Sequence, residues 1–295
     1  MQINIHKNHD YNNPQLMPFI LKNNEEELLL YLLNNNKVDF IYTALIENNI
    51  VGVLLAWKNS MHPYCLYFRI ITDDLIYTVD IEKGLLDKLS KSTNQLPLQT
   101  SIADIYTDSK KVYEDIGFKL IRKTYMPKLD LMNVKIDWSK SEGYELFSLE
   151  KWLNNDKKLL ELASLVKENY EETHLDNPVV ELSSEEWKRM IFTNDLIIEG
   201  SFVSYDSVKQ AIIAYSFLHE GESSREYELG LCGSSSGYCL ESIVPLVNRQ
   251  INYCIEQRIE MLKGEFDTTS KYAMKVISSF PFSPCSVWLT YQLRN

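Results

Sequence analysis

The 295-residue sequence has no apolar run near the roughly 20 residues that a membrane helix needs; the best, Ile50 to Trp57, is far shorter. The opening MQINIHKNHD lacks the apolar core of a secretion signal. Cysteine is scarce, and its five copies form no clustered spacing, so a reducing cytoplasm is expected rather than a disulfide framework. Positive charge is in deficit: 30 Lys and Arg face 41 Asp and Glu, a net of −11, whereas phosphate recognition wants clustered bases. Neither nucleic acid nor membrane is therefore expected as a partner. A cationic substrate fits this charge, and so does an acidic surface that only keeps the chain soluble.

Chemical signatures are thin as well. His6, His9, His62, His174 and His219 show no paired metal spacing, so no metal is expected. Cys232 and Cys239 lack a matching second pair, and no serine sits in a G-x-S-x-G elbow. Eighteen tyrosines read as core and strand packing or as an aromatic substrate pocket.

What remains is a globular composition, 45% apolar and 24% charged, and enough length for two domains of about 140 residues. The most informative stretch begins at Ser109, read as a helix cap. Val112, Tyr113 and Ile116 share one helical face, Gly117 stops the helix, and an alternating strand follows from Phe118. Before it, the order is a strand at residues 2–8, helical patterns over 12–36, and strands at 40–46, 50–57 and 64–72. A helix at 82–92 and a short strand at 98–103 complete the first half.

Residues 133–142 are polar and aperiodic, and serve as the expected linker. The same order then recurs. Helices are read at 156–172 and from the capping-box pair Ser183 and Glu186, and strands at 199–205, 210–218 and 226–232. A helix at 240–256, a strand at 260–266, a helix at 271–279 and a strand at 286–293 close the chain.

The form Tyr113-x-x-x-Gly117-Phe118, with this order of elements, resembles the GNAT-type N-acetyltransferases, which move an acyl group from a coenzyme A thioester to an amine. The resemblance implies an α/β (α+β) protein of two tandem GNAT-like domains, each a twisted, mixed, mostly antiparallel sheet flanked by helices. Residues 1–132 form the expected N-terminal, degenerate domain and 143–295 the C-terminal domain carrying the acyl-CoA site. In such a domain, a loop after the fourth strand offers backbone N–H groups to the diphosphate. In the first half that stretch, Asp73 to Gly84, holds one glycine, four acidic residues and no arginine. In the second half it is Gly233, Ser234, Ser235, Ser236, Gly237, Tyr238 and Cys239, either an anion cradle or an ordinary loop, with Glu241 close to the phosphate position.

The resemblance further implies that backbone groups of Leu229, Leu231 and Cys232 pair with the pantetheine arm. Glu228 is the expected base, its alternative being a solvated strand carboxylate. Tyr113 holds the family position of the acid that protonates the leaving thiolate, or is a core aromatic. Ile277 takes that position in the second half, with Tyr272 earlier on the same helix. The expected activity is acyl-CoA-dependent transfer, of acetyl in the first instance, to a primary amine of a small molecule or peptide. The co-substrate is acetyl-CoA or another acyl-CoA, and a homodimer is left open. A non-catalytic tandem-domain binding or interaction protein is the rival reading. An aminoacyl transferase using charged tRNA fits the acidic balance poorly.

Overall fold

The computed structural model describes residues 2–8, 13–23, 27–73, 79–93, 96–134 and 144–294. Its first half runs β1 (Asn4–Asn8), α1 (Leu16–Asn23), α2 (Glu27–Asn34), β2 (Phe40–Ile46), β3 (Asn49–Lys58) and β4 (Leu66–Thr72). It continues with α3 (Val79–Ser92), β5 (Leu98–Ala103), α4 (Thr107–Ile116), β6 (Lys119–Tyr125) and β7 (Lys128–Asp130). The second half runs β8 (Glu145–Ser148), α5 (Asp156–Thr173), α6 (Ser184–Ile191), β9 (Phe202–Asp206), β10 (Ala211–Glu220) and β11 (Glu226–Ser234). It ends with α7 (Val244–Glu256), β12 (Met261–Gly264), β13 (Phe266–Asp267), α8 (Lys271–Ser279) and β14 (Val287–Leu293).

Local signals explain several boundaries. Glu47 and Asn48 turn β2 into β3 with φ of 51° and 66°, the left-handed pair that a two-residue hairpin requires. Gly117 stops α4 at φ 103°, and its N–H bonds the carbonyls of Tyr113 and Glu114. Ser183 and Glu186 form the reciprocal capping box that opens α6. Ser109 does not cap α4, which starts two residues earlier; its hydroxyl donates to Glu82 Oε1 at 2.7 Å.

The chain divides into two compact units, and neither is contiguous in sequence. One contains residues 1–122, 176–180 and 288–295; the other contains 123–175 and 181–287. This differs from the expected division at 133–142, a linker whose residues from 135 onward lie outside the described set. The last strand, placed by sequence in the second domain, belongs to the first unit.

In the first unit the strands lie in the order β1-β2-β3-β4-β5-β14-β6. Neighbours are antiparallel from β1 to β4, β4 and β5 are parallel, and β14 is antiparallel to β5. One face buries Leu16, Ile20, Leu29 and Leu33 of α1 and α2 against Val53 and Leu55. On the other, Ile81 Cγ2 lies 2.5 Å from where a Cβ on Gly52 would be, so only glycine lets α3 settle onto β3. Each such aliphatic side chain stabilises the fold by about 1.5–3 kcal/mol through burial.

The second unit holds the sheet β7-β12-β11-β10-β9-β8, mixed because β11 and β12 are parallel. Leu246, Val247, Ile251 and Cys254 of α7 pack with Ile213, Leu229, Leu262 and Val276 into its main core. Strand β13 pairs with the end of β6 through Phe266–Tyr125 and Asp267–Thr124.

Candidate active site in the second unit

Strand β11 outruns its parallel neighbour. Pairing with β12 covers Glu226–Met261 to Leu229–Gly264 and then ceases, while β11 continues to Ser234. Gly264 marks the divergence: a Cβ there would lie 2.5 Å from the Phe266 ring, which folds back over the glycine. Among the described strands, none pairs with residues 230–234 of β11 on the side that β12 leaves. On its other side β11 stays paired with β10, from Glu220–Tyr227 to Ala214–Ser234. The result is a strand edge with backbone donors and acceptors on offer, which an extended ligand can complete as an added strand does.

The same stretch is bulged. Ser216 faces Cys232 and Leu218 faces Leu229, so β11 has one residue more than β10 across Gly230 and Leu231. A bulge bends the strand and re-aims its local N–H groups, a common device beside reaction centres. Leu231 is thrown outward and exposed, while Leu229 points into the core. Cys232 packs against that core, where burial pushes its thiol up to about 12, so it is no nucleophile at neutral pH.

Beside the bulge, His219 Nδ1–H donates to Asp195 Oδ2 at 3.0 Å. The other ring nitrogen, Nε2, lies 2.6 Å from where a Cβ on Gly230 would be, so the imidazole fits only over a glycine. With the proton on Nδ1, the neutral ring presents a lone pair at Nε2. The Asp195 carboxyl is held below the usual carboxylate range by Thr193 first, and by His219 also. Glu228 is exposed and directly opposite His219 across the strand pair, on the same face.

Further along β11, Gly233 and Ser234 are buried under α5 and α8. Asn169 Nδ2 donates to the Ser234 carbonyl at 3.2 Å and to Tyr272 Oη at 3.1 Å, while Asn169 Oδ1 is buried without a partner. Burial, and then the Glu172 carboxylate that its hydroxyl bonds, raise the Tyr272 phenol well above its ordinary value. Tyr272 thus reaches the open end of β11 from the first turn of α8, whereas Ile277 only packs against the core.

The serine-rich loop ends the site. Ser235 is half-buried, Ser236 and Gly237 are exposed, and Gly237 adopts φ 92°. Tyr238 is half-buried, and its hydroxyl donates to Asp206 Oδ2 at 3.3 Å. A 3-10 turn over Leu240–Ile243 precedes α7 in place of the single long helix expected from 240.

The first unit has the same strand divergence in a closed form. Strands β4 and β5 pair only at Leu66–Leu98 and Tyr67–Gln99, and Arg69 Nη1 then reaches across to the Ser101 carbonyl. Its guanidinium lies 5.7 Å from the Trp288 ring centre. Tyr113 lies in the first unit. It is 2% exposed among Phe68, Phe118 and Tyr291, and burial raises its phenol far above the ordinary range. The stretch Asp73 to Gly84 lies partly outside the described residues; its described end places Asp80 and Glu82 in the first turn of α3.

Sequence reasoning missed the His219–Asp195 pair and Asn169. The first two residues are 24 positions apart in no motif, and Asn169 reads as one polar position on an amphipathic helix.

No protein-family model matches the chain, and no curated protein matches it. Solved structures do. A GCN5-related N-acetyltransferase from Sphaerobacter thermophilus is similar over 99% of this chain and 95% of that one, at 10% identity and TM-score 0.62. A tandem GNAT protein from the clavulanic acid biosynthesis pathway is similar over 99% and 98%, at 11% identity and TM-score 0.55. A GNAT-family acetyltransferase from Colwellia psychrerythraea covers both chains fully, at 9% identity and TM-score 0.52. Identities this low speak for architecture alone, and by architecture the chain has the tandem GNAT fold.

Proposed function

We propose that the second unit binds an acyl thioester along the open edge of β11 and transfers the acyl group to an amine. One observation carries this reading: β11 continues, bulged at Gly230 and Leu231, for five residues after β12 has left it. The acceptor is a primary amine of a small molecule or peptide, and acetyl-CoA is the first donor to try.

In this reading the backbone of residues 230–233 pairs with the amides of a pantetheine arm. The bulge then sets its N–H groups at the thioester carbonyl, where they stabilise the oxyanion of the tetrahedral intermediate. The ammonium of the acceptor docks beside Glu228, the carboxylate expected as base, and gives its proton to His219 Nε2, whose ring Asp195 orients. The free amine attacks the carbonyl, the C–S bond breaks, and the thiolate leaves with the second proton of the attacking nitrogen. Tyr272 stands at the end of the strand, its hydroxyl donating to the Ser234 carbonyl at 3.4 Å. The first unit is the degenerate half, because Arg69 spans its divergence.

The test is calorimetric titration of the full chain with acetyl-CoA, with backbone amide spectra recorded alongside. A dissociation constant on the order of micromolar is expected, about −8 kcal/mol, with shifts concentrated at residues 230–233. No heat at millimolar ligand, or shifts elsewhere only, would overturn the proposal.

A further inference from the structure

We infer that the donor is held through its pantetheine arm alone, and that the loop following β11 takes no diphosphate. The inference rests on the thioester reading above.

A diphosphate at a helix start needs unclaimed N–H groups and a local excess of positive charge. Here four of the donors are already used. The Ser235 N–H goes to the Ile213 carbonyl at 2.7 Å, the Tyr238 N–H to Ser235 at 3.2 Å and the Ser242 N–H to Cys239 at 3.0 Å. The Val244 N–H bonds the Glu241 carbonyl, and Pro245, in the first turn of α7, has none to give.

The charge is also used. Glu241 sets its carboxylate at this same turn, where it accepts from the Cys239 thiol and pairs with Lys275 Nζ at 2.9 Å. The bond from the thiol, then that from Lys275, hold its carboxyl down at about 2, so it is ionised at every working pH. Lys209, in the turn between β9 and β10, donates to Tyr238 Oη at 3.3 Å, and that hydroxyl donates on to Asp206. Lys275 therefore has its own carboxylate, Lys209 is held on the Tyr238 hydroxyl, and Glu241 supplies the anion that the helix start would otherwise attract. A phosphate arriving there meets a fixed negative charge beside the turn. The open edge of β11 at residues 230–233 carries no such charge, so it recognises the arm while the nucleotide end of CoA stays in solvent.

Calorimetry on the full chain decides this, with acetyl-CoA and S-acetylpantetheine as probes and Glu241→Gln as the variant. The two probes are expected to bind wild type within about five-fold of each other. Glu241→Gln should tighten acetyl-CoA about ten-fold and leave S-acetylpantetheine unchanged. A wild-type preference for acetyl-CoA of about fifty-fold or more, or a variant with no gain, would overturn the inference while leaving the transferase reading intact. Silence with both probes would remove the transferase reading and this inference together.

Discussion

An alanine at position 233 would set its Cβ 1.9 Å from Asn169 Oδ1 and 2.8 Å from Tyr215 Oη. Gly233 drew notice in the sequence as part of an anion cradle, but its immediate role is to let α5 close onto β11. Gly233→Ala is expected to destabilise the protein by about 1–3 kcal/mol, since an overpacked core must shift backbone or side chains. Asn169→Ala removes the nearer obstacle, so the double variant should lose less than the sum of the singles, read by chemical denaturation. Purely additive losses would show that this contact is not what requires the glycine. Asn169 itself was not legible beforehand, because a buried amide on a helix looks in sequence like any polar residue. Only its bonds to Ser234 and Tyr272 give it a place at the site.

At the scale of the element, α3 carries a buried acid. Glu82 is 5% exposed, with Oε1 bonded by Ser109 and Oε2 without a partner. Burial raises its carboxyl above the ordinary 4.5; Ser109 lowers it in part, and Asp108 raises it again. The native state therefore holds this proton at pH values where the unfolded chain has released it. Stability then falls as pH climbs through that window, and the loss persists to neutral pH. Glu82→Gln keeps an oxygen for the Ser109 hydroxyl and has no charge to bury. Its thermal midpoint relative to wild type should rise as the pH climbs above the ordinary 4.5 and level once the native carboxyl has ionised. A constant difference as the pH climbs would show that Glu82 ionises freely in the fold. The helix was evident from Leu85, Leu86 and Leu89, but the burial of Glu82 depends on Ser109 coming in from α4, which no pattern within α3 announces.

For the whole molecule, the decisive feature is how the chain is shared between its units. Residues 288–295 belong with the N-terminal unit, where six residues of β14 pair with β5 and Leu289 and Tyr291 are buried. Residues 128–130 lie in the other unit, as a strand along β12. A cut in the linker therefore separates each unit from one of its own strands. Fragments 1–132 and 143–295, expressed alone, are expected to give poorly dispersed amide spectra and no cooperative thermal transition. A synthetic peptide covering residues 284–295 should restore dispersion to 1–132. A well-folded 1–132 on its own would show that β14 is dispensable. This also requires the ligand titrations above to use the intact chain.

Much of the architecture was written locally. The stop at Gly117, the capping box at Ser183 and Glu186, the polar break after Ile46 and the repeated order of strands and helices were all readable, because each rests on residues a few positions apart. The open strand was readable as a candidate for the same reason, since Glu228 to Ser234 is one continuous segment. Tertiary structure decided everything that joins distant segments. It gave β14 to the first unit, buried Tyr113, closed the first divergence with Arg69 and brought Asp195 to His219. Period and propensity act within a few residues, whereas strand partners and buried polar contacts are set by whichever distant surface fits, and the linear order does not carry that information.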